Sequence, residues 1–345
     1  MKQNREVFSL RHYLLFSLIT CLTVVVCVCL GSVNVPFAAT LRIIAGKIMG
    51  SMPEETGTWQ SIILTVRLPR VLCVAITGAA LSVCGGAMQG LLKNPLADGS
   101  TLGVSSGAAL GAAVAIAFEI TVPALPFSGA MIMAMLFAFL SLVLILTLAY
   151  RLDNSLSTNT IILIGIVYSM FVSSILSLVL TFASDKVKNI TFWTMGSLAG
   201  SGWQSVLILF AALVVFGGII LTMCTELNAF AIGEDNARNV GVNVRRVRLR
   251  VLILVSCLIG VCVSVGGSIG FVGLVTPHIV RMITGPNHKK LLPASMFAGA
   301  VFLMLADLTA RMLLRPLELP IGVVTSFVGA ILFVYIFYRT RTVNR

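Results

Sequence analysis

The sequence predicts an all-α, polytopic membrane protein with about ten transmembrane helices. Of its 345 residues, 58% are hydrophobic and only 10% are charged, and the mean hydropathy is +1.04. About ten separate stretches are apolar and long enough to cross a bilayer, and they account for most of the length. A soluble chain of this size does not combine so many apolar residues with so few charges. The function therefore lies across or within a membrane.

The predicted spans follow one another with mostly short loops, which indicates a single transmembrane domain over residues 1–345. The run from Leu14 to Leu30 follows a basic stretch and resembles a signal peptide. It is longer than the apolar core of such a peptide, so we interpret it as a retained first span. The predicted spans are residues 13–33, 71–92, 101–119, 124–149, 160–183, 204–224, 249–266, 269–283, 292–314 and 320–338.

The charge is sparse and positive, with 24 Lys and Arg against 12 Asp and Glu. An even number of spans places both termini on one side of the membrane. Taking that side as the cytoplasm puts about 16 of the cations there and about 8 outside, as the positive-inside rule requires. This asymmetry explains the net charge of +12 without a nucleic-acid partner. We therefore expect a chain embedded in lipid with cytoplasmic N and C termini.

Metal, disulfide and nucleotide chemistry have little support in the sequence. The 8 cysteines lie in or beside apolar runs without a C-x-x-C pair, and the only histidines are His12, His278 and His288. We therefore expect no metal site and no bound cofactor. The chain also lacks G-x-x-x-x-G-K-[ST], because Gly46-Lys47 is not followed by Ser or Thr. Any ATP-driven transport would need an ATPase on another chain.

Glycine is frequent, with 30 residues, and many of them lie within the predicted spans. Small residues let helices approach closely in a membrane, and they also permit the breaks and sliding that a transporter needs. The stretch that begins at Gly85-Gly86 resembles the one that begins at Gly266-Gly267, although this similarity is too short to establish an internal duplication.

A polar segment separates the sixth and seventh predicted spans. Gly233 and Gly241 can each end a helix, and the sequence between them favours a two-turn helix. Glu234 and Asp235 lie in its first turn and Arg238 lies later, which suits the helix dipole. A short helix on the cytoplasmic face is either a solvated connector or a contact point for a partner protein.

Asn228 to Val242 resembles the coupling segment of the FecCD-type permeases, the membrane subunits of ABC importers for iron–siderophores, haem and cobalamin. Other stretches match the family in order, and together they cover about 90% of the chain. They are Arg67-Leu68-Pro69-Arg70, Gly78 to Leu81, Gln89 followed by Asn94 to Ala97, Leu102 to Ala108, Phe192 to Gly196, Gly270 to Leu274 with Pro277 to Arg281, Ala306-Asp307 with Ala310-Arg311, and Glu318 to Thr325. Each motif alone is weak, but eight in register are specific.

The resemblance implies a type II ABC importer permease fold with ten spans per subunit, which agrees with the count from hydropathy. It implies a homodimer or heterodimer with a second permease, two cytoplasmic ATP-binding subunits that carry ATP and magnesium, and an extracytoplasmic substrate-binding protein. It places the chain in the cytoplasmic (inner) membrane of a bacterium or archaeon. The expected activity is non-enzymatic: translocation of an iron–siderophore by alternating access, or alternatively of haem, cobalamin or molybdate.

The resemblance also assigns roles to residues at the predicted cytoplasmic face. The coupling segment, at about 228–245, would sit in the cleft of the ATPase and transmit its closure. Its expected contact residues are Gly233, Glu234, Asp235, Ala237, Arg238 and Gly241. Thr158 and Asn159 would form a cytoplasmic gate, and capping of the fifth predicted span by Ser157 or Thr158 is a compatible alternative.

At the predicted outer face, the resemblance assigns Arg67, Arg70 and Arg311 to docking of the binding protein through its acidic residues. Arg67 and Arg70 would share one helical face if the second span begins there. Snorkelling of these long side chains to the membrane surface is the alternative. Asp307 lies within the ninth predicted span four residues before Arg311, so we expect a structural ion pair between them.

Two other function classes remain open from the residues alone. Gly103 to Gly107 fits the G-x-S-x-G pattern of hydrolases, with His278 as the base, but that motif needs a strand–turn–helix and this stretch opens an apolar helix. An ion-coupled secondary transporter needs intramembrane ionisable groups, for which Asp307 and Glu119 are the candidates.

Overall fold

The computed structural model of the protein describes residues 7–31, 33, 35–50, 57–122, 128–153 and 157–343. Within these ranges the chain is all-α. The helices are α1 (Leu10–Cys29), α2 (Phe37–Met49), α3 (Gly57–Leu92), α4 (Val104–Ala117), α5 (Gly129–Leu152), α6 (Thr158–Phe182), α7 (Val187–Thr194), α8 (Trp203–Thr222), α9 (Cys224–Ile232), α10 (Glu234–Asn239), α11 (Val244–Gly266), α12 (Val272–Thr284), α13 (His288–Met312) and α14 (Ile321–Val343).

The ten predicted spans are found as ten apolar helices in the described part of the chain. Seven of them, α1, α3, α5, α6, α8, α11 and α13, are long and apolar enough to cross a membrane. The other three, α4, α12 and the apolar part of α14, are shorter. The prediction of an all-α fold with about ten transmembrane helices is therefore confirmed. The first residues of the predicted span 124–149 lie outside the described residues.

The second predicted span, residues 71–92, lies within α3, but this helix begins much earlier, at Gly57. Arg67 and Arg70 were expected at the outer end of the span. Instead the helix passes through Pro69, and a π-helical stretch at Ile62–Arg67 immediately precedes it. The wider turn lies where the proline ring and its missing N–H interrupt the α-helical hydrogen bonds. Arg67 and Arg70 therefore lie inside a long helix.

The central helix of the bundle is α3. Nearly every side chain between Pro69 and Leu92 is buried, and α3 packs against α8, α11, α12 and α13. Close contact with two of these helices depends on glycine. A Cβ on Gly78 would lie 2.2 Å from the carbonyl oxygen of Gly299 on α13, and a Cβ on Gly85 would lie 1.8 Å from that of Gly273 on α12. Here glycine allows close helix packing, one of the two roles expected from the sequence.

The outer surface of the bundle is apolar, as lipid requires. On α6, large apolar side chains such as Leu163, Val167 and Phe171 are exposed, and on α14 so are Phe327 and Ile331. In a soluble protein such a surface would be an aggregation hazard, but against acyl chains or a second membrane subunit it carries no penalty.

Candidate functional site

The coupling segment contains the short helix that the sequence predicts. Gly233, with φ 144° and ψ 148°, separates α9 from α10, and Gly241 follows α10 with φ 87°. Both φ values lie in the region that favours glycine, so side chains with a Cβ would be strained at either position. The segment turns back after α10 through hydrogen bonds from the N–H of Gly241 to the oxygen of Arg238 (2.9 Å) and from that of Val242 to the oxygen of Ala237 (2.9 Å).

Two contacts attach α10 to the bundle. The Ala237 side chain is fully buried in the main core, and the Glu234 carboxylate forms an ion pair with Arg248 on α11. Arg248 is only 1% exposed. From the sequence alone it was counted simply as one of the cytoplasmic cations required by the positive-inside rule. Its spacing could have shown its role. Val244, Val247 and Val251 share its face of the helix at intervals of three and four residues, the pattern of a buried stripe.

The opposite face of α10 is open. Asp235 and Arg238 are exposed, and Gly241 is exposed at the end of the segment. The predicted contact residues thus fall into two groups. Glu234 and Ala237 hold the helix to the bundle, while the exposed charges are available to a partner. A short helix that is attached to the bundle on one face can transmit to the bundle a movement imposed on its other face.

Where α3 packs against α13, the three arginines predicted for docking are buried and already engaged within the chain. Arg70, 5% exposed, donates to Asp307 Oδ1 through Nη2 (2.9 Å) and Nε (3.1 Å). Its Nη1 donates to Glu318 Oε2 at 2.7 Å. The expected ion pair between Asp307 and Arg311 is present, with 2.9 Å between Oδ2 and Nε. Asp307 therefore lies between two guanidinium groups, which suits a carboxylate that is 1% exposed.

The remaining donors of this cluster bind the C-terminal end of α1. Arg311 donates to the carbonyl oxygens of Cys27 and Leu30, each at 3.1 Å. Arg67 donates to those of Val28 (3.0 Å) and Cys29 (3.1 Å), and also to that of Val33. The last carbonyls of a helix lack partners within it and attract positive charge, so these arginines cap α1 from the side. We call Arg67, Arg70, Asp307, Arg311 and Glu318 the arginine cluster.

The predicted gate residues begin α6. Ser157 is the N-cap, and its Oγ accepts from the N–H of Thr160. Asp153 Oδ2 accepts from the N–H of Ser157 (2.9 Å) and from the hydroxyl of Thr160 (3.1 Å). The capping expected from the sequence is thus made by Ser157. Thr158 is half-buried and Asn159 is exposed, so both lie at a helix start where small polar groups can meet another surface.

The residues considered for other chemistry lie in ordinary helical settings. Gly103, with φ 82°, precedes α4, and Ser105 is buried in its first turn, so this G-x-S-x-G stretch is not a strand–turn–helix elbow. Glu119 is exposed and forms an ion pair with Lys186. In the described residues, no group of three or more His, Cys, Asp or Glu side chains could hold a metal ion.

Comparisons with known proteins agree with this arrangement. Residues 18–339 match the FecCD transport family. The uncharacterized ABC transporter permease protein YvrB of Bacillus subtilis is 40% identical, over 91% of this chain and 90% of that protein. The hemin transport system permease protein HmuU of Yersinia pestis is 36% identical, over 93% and 94%. A solved metal-chelate type ABC transporter in an inward-facing conformation superposes with a TM-score of 0.81 at 33% identity, over 94% and 97%.

A match over nearly the whole chain, relatives above 30% identity and a fold with the expected ten apolar helices all lead to one assignment. The chain belongs to the FecCD transport family and is a multi-pass permease of the ABC importer type with the type II fold.

Proposed function

We propose that this chain is the permease subunit of an importer that carries an iron–siderophore across the cytoplasmic membrane by alternating access. It pairs with itself or with a second permease, and two cytoplasmic subunits bind ATP and magnesium and hydrolyse the ATP. An extracytoplasmic binding protein delivers the substrate. Both termini lie in the cytoplasm, which follows the distribution of Lys and Arg. The chain itself catalyses no reaction.

The observation that carries the proposal is the two-sided coupling segment. Ala237 and the ion pair between Glu234 and Arg248 hold α10 against α11, while Asp235 and Arg238 stay exposed. A partner that grips the exposed side moves α11 with it, because the buried side is attached to that helix. Since α11 packs on α3, α4 and α5, such a movement reaches the interior of the bundle.

The gate and the docking site follow as parts of the same cycle. Thr158 and Asn159, at the start of α6, close the cytoplasmic end of the path by contact with the second permease. Arg67, Arg70 and Arg311 attract acidic residues of the binding protein at the other end. Because Arg70 is already bonded to the partly exposed Glu318, docking there exchanges one carboxylate for another rather than filling an empty site.

The substrate class draws support from relatives with different cargo. The solved neighbour is described as a metal-chelate type transporter, and one relative is named for hemin. These favour a ferric chelate, with an iron–siderophore as the proposed cargo and haem, cobalamin or molybdate as alternatives. The binding protein supplies most of the selectivity in this scheme, so its loaded ligand is the direct probe.

An ion-coupled secondary transporter is the other function class, and the carboxylates argue against it. Asp307 lies between Arg70 and Arg311, so both of its carboxylate oxygens are already engaged by cations of the same chain. Glu119 is exposed and paired with Lys186. Neither group is placed as a switchable site within the bundle.

The test uses the permease reconstituted in liposomes with its cognate ATPase and binding protein. ATP hydrolysis and uptake of radioactive ferric siderophore are measured for the wild type, for Arg238→Gln and for Arg151→Gln. Arg151 is a matched control, because it is an exposed arginine in the last turn of another helix, α5. We expect Arg238→Gln to reduce stimulated hydrolysis and uptake together, and Arg151→Gln to leave both within about twofold.

Two results would overturn the proposal. Uptake that follows an ion gradient and ignores ATP would make the chain a secondary transporter. Stimulation by a binding protein loaded with haem, cobalamin or molybdate, but not with a ferric siderophore, would keep the importer and replace its cargo.

A further inference from the structure

A half-open cavity of about 220 Å³ lies beside the coupling segment, at the end of α3 that carries Lys93. Residues at its mouth are exposed, among them Lys93 and Pro286, while Gln89 and His288 at its floor are almost completely buried. Its lining residues are Gln89, Gly90, Lys93, Pro95, Ala231, Arg281, Pro286 and His288.

The cavity is positively charged. Lys93 and Arg281 both line it, and none of its described lining residues is acidic. Arg281 donates through Nη2 to Gln89 Oε1 at 3.2 Å, while its Nε has no acceptor among the described residues. Gln89 in turn donates to the carbonyl oxygen of Leu274 at 3.1 Å, so both ends of this amide are used in orienting the guanidinium. The arrangement holds a cation in place without neutralising it.

The walls of the cavity belong to the coupling apparatus. Ala231 lies on α9, two residues before Gly233. Asn228, on the same helix, accepts from the backbone N–H of His288 and contacts its Nδ1, each at 2.8 Å, and also donates to Asn287 at 2.9 Å. These bonds fix α9 to the start of α13. Because Ala231 lies two residues before Gly233, the cavity lies close to the beginning of α10, where a partner protein is proposed to bind.

Charge and size together select the occupant. Covering Lys93 and Arg281 with a partner that offers no anion would strip water from two cations without compensation, which is costly. A carboxylate would compensate the positive charge of the two side chains. The planar guanidinium of an arginine can also donate two parallel hydrogen bonds to one carboxylate. The cavity is smaller than the roughly 300–1,000 Å³ typical of small-molecule pockets, so a single side chain suits it better than a nucleotide.

We propose that this cavity receives an aspartate or glutamate side chain of the docked ATPase subunit, as a second contact beside α10. The assignment rests on the proposed partnership with an ATPase and specifies its chemistry. The helix α10 presents one negative and one positive side chain to the partner, Asp235 and Arg238, whereas the cavity favours only a negatively charged side chain of the partner. The contact locks the junction of α9 and α13 to the ATPase, so that the partner holds the coupling segment at two points.

The test is a zero-length crosslink in the assembled complex of permease and cognate ATPase. A water-soluble carbodiimide joins an amine to a carboxylate that touches it, forming an amide while the reagent takes up the elements of water as its urea. We expect mass spectrometry to find Lys93 joined to one Asp or Glu of the ATPase. Arg281 is left intact, which avoids a variant that disturbs the bond to Gln89.

Affinity gives a second readout. Lys93→Glu should weaken assembly with the ATPase at least tenfold at low salt and less at high salt, because screening removes the charge effect. Lys93 is exposed and has φ 50°, and glutamate has the same backbone demands, so the fold should survive the change. Arg151→Glu is the matched control, with the same charge reversal at an exposed site outside the cavity, and should change assembly by less than about twofold.

The outcomes separate this inference from the proposed function. If the ATPase assembles with the wild type but Lys93 forms no crosslink and Lys93→Glu binds equally well, the inference is wrong and the importer stands. If inorganic phosphate stabilises the isolated permease and Lys93→Glu abolishes that effect, the cavity is a site for a free anion and the partner assignment is wrong. If no ATPase assembles with the wild type, the proposed function and the inference fail together.

Discussion

Two positions along α3 carry charge in opposite ways. Arg70, inside the helix, lies in the arginine cluster with its guanidinium buried and bonded to Asp307 and Glu318. Lys93, about 35 Å away along the helix at 1.5 Å per residue, lies exposed at the mouth of an uncompensated cavity. Arg70 was predicted to dock a partner protein, yet it is paired within the chain, whereas Lys93, for which no partner was predicted, forms no ion pair with another described residue.

A charged motif in the sequence therefore does not reveal whether its charges face the interior of the bundle or its surface. The arginine cluster joins α1, α3 and α13, and its charges are bonded within the chain. In the coupling segment and the cavity beside it, Asp235, Arg238 and Lys93 form no ion pair with another described residue. We therefore expect mutations in the arginine cluster to act first on stability, and mutations in the coupling segment to act first on assembly and transport.

The largest effect should follow Asp307→Asn. This change removes the negative charge between Arg70 and Arg311, which are 5% and 3% exposed. It leaves Arg311 without a carboxylate partner among the described residues and Arg70 with only the partly exposed Glu318. Breaking a buried ion pair from one side costs about 3–5 kcal/mol. The control is Glu318→Gln, because the Glu318 side chain is 31% exposed and should cost about 1 kcal/mol or less. Thermal unfolding of the purified protein in detergent measures both, and equal shifts would refute the buried role of Asp307.

A smaller effect should follow Gly85→Ala, in the middle of α3 between the two ends. The added Cβ would lie 1.8 Å from the oxygen of Gly273, so α3 and α12 must move apart, at a cost of about 1–3 kcal/mol. Gly218→Ala on α8 is the control, since its Cβ would meet no atom within 4 Å, and alanine there should be neutral or stabilising by up to about 1 kcal/mol. Similar unfolding temperatures for the two variants would show that the helices do not need this close contact.

Glu234→Gln should have a still smaller effect on stability and a clear effect on coupling. It breaks the ion pair with the buried Arg248, and because Glu234 is 32% exposed we expect a loss of about 1–2 kcal/mol. Asp235→Asn, one residue on and exposed, should change stability by no more than about 0.5 kcal/mol. In liposomes, the complex that contains the Glu234→Gln permease should take up less substrate for each ATP that its ATPase hydrolyses. An unchanged ratio of uptake to hydrolysis would mean that this ion pair does not attach α10 to the moving helix.

The smallest effect concerns the exposed Glu119 and its half-buried partner Lys186, which belong to neither charged region. The hydrogen bond and the charge interaction with Lys186 lower the pKa of the Glu119 carboxyl below its ordinary value of 4.5. The stabilisation is therefore present above the unfolded-state value and is lost as the pH falls through the lowered pKa. Glu119→Gln should lower the unfolding temperature slightly at pH 7, and the difference from the wild type should vanish in acid. A difference that persists below that pH would assign another role to Glu119.

The sequence predicted well what depends on neighbouring residues. Hydropathy is a property of each stretch by itself, so the ten apolar helices could be counted without a structure. The short helix of the coupling segment was predicted because Gly233 and Gly241 act locally on the backbone. Ser157 was a candidate cap for α6, and the structure shows it in that role. The family could be recognised for the same reason, because each of its motifs is a short run of neighbouring residues.

What the sequence could not determine depends on residues that meet only after the helices pack. Arg67 and Arg70 looked like a surface pair because their acceptors, the carbonyls of α1 and the carboxylate of Asp307, are distant in the chain. The sequence did not show which of several neighbouring arginines pairs with Glu234, because only the packing of α11 places Arg248 toward it. By itself the sequence determined that the chain spans a membrane and which family it belongs to. Only the tertiary structure decided which charges neutralise one another, because burial and ion pairing are set by contacts between helices.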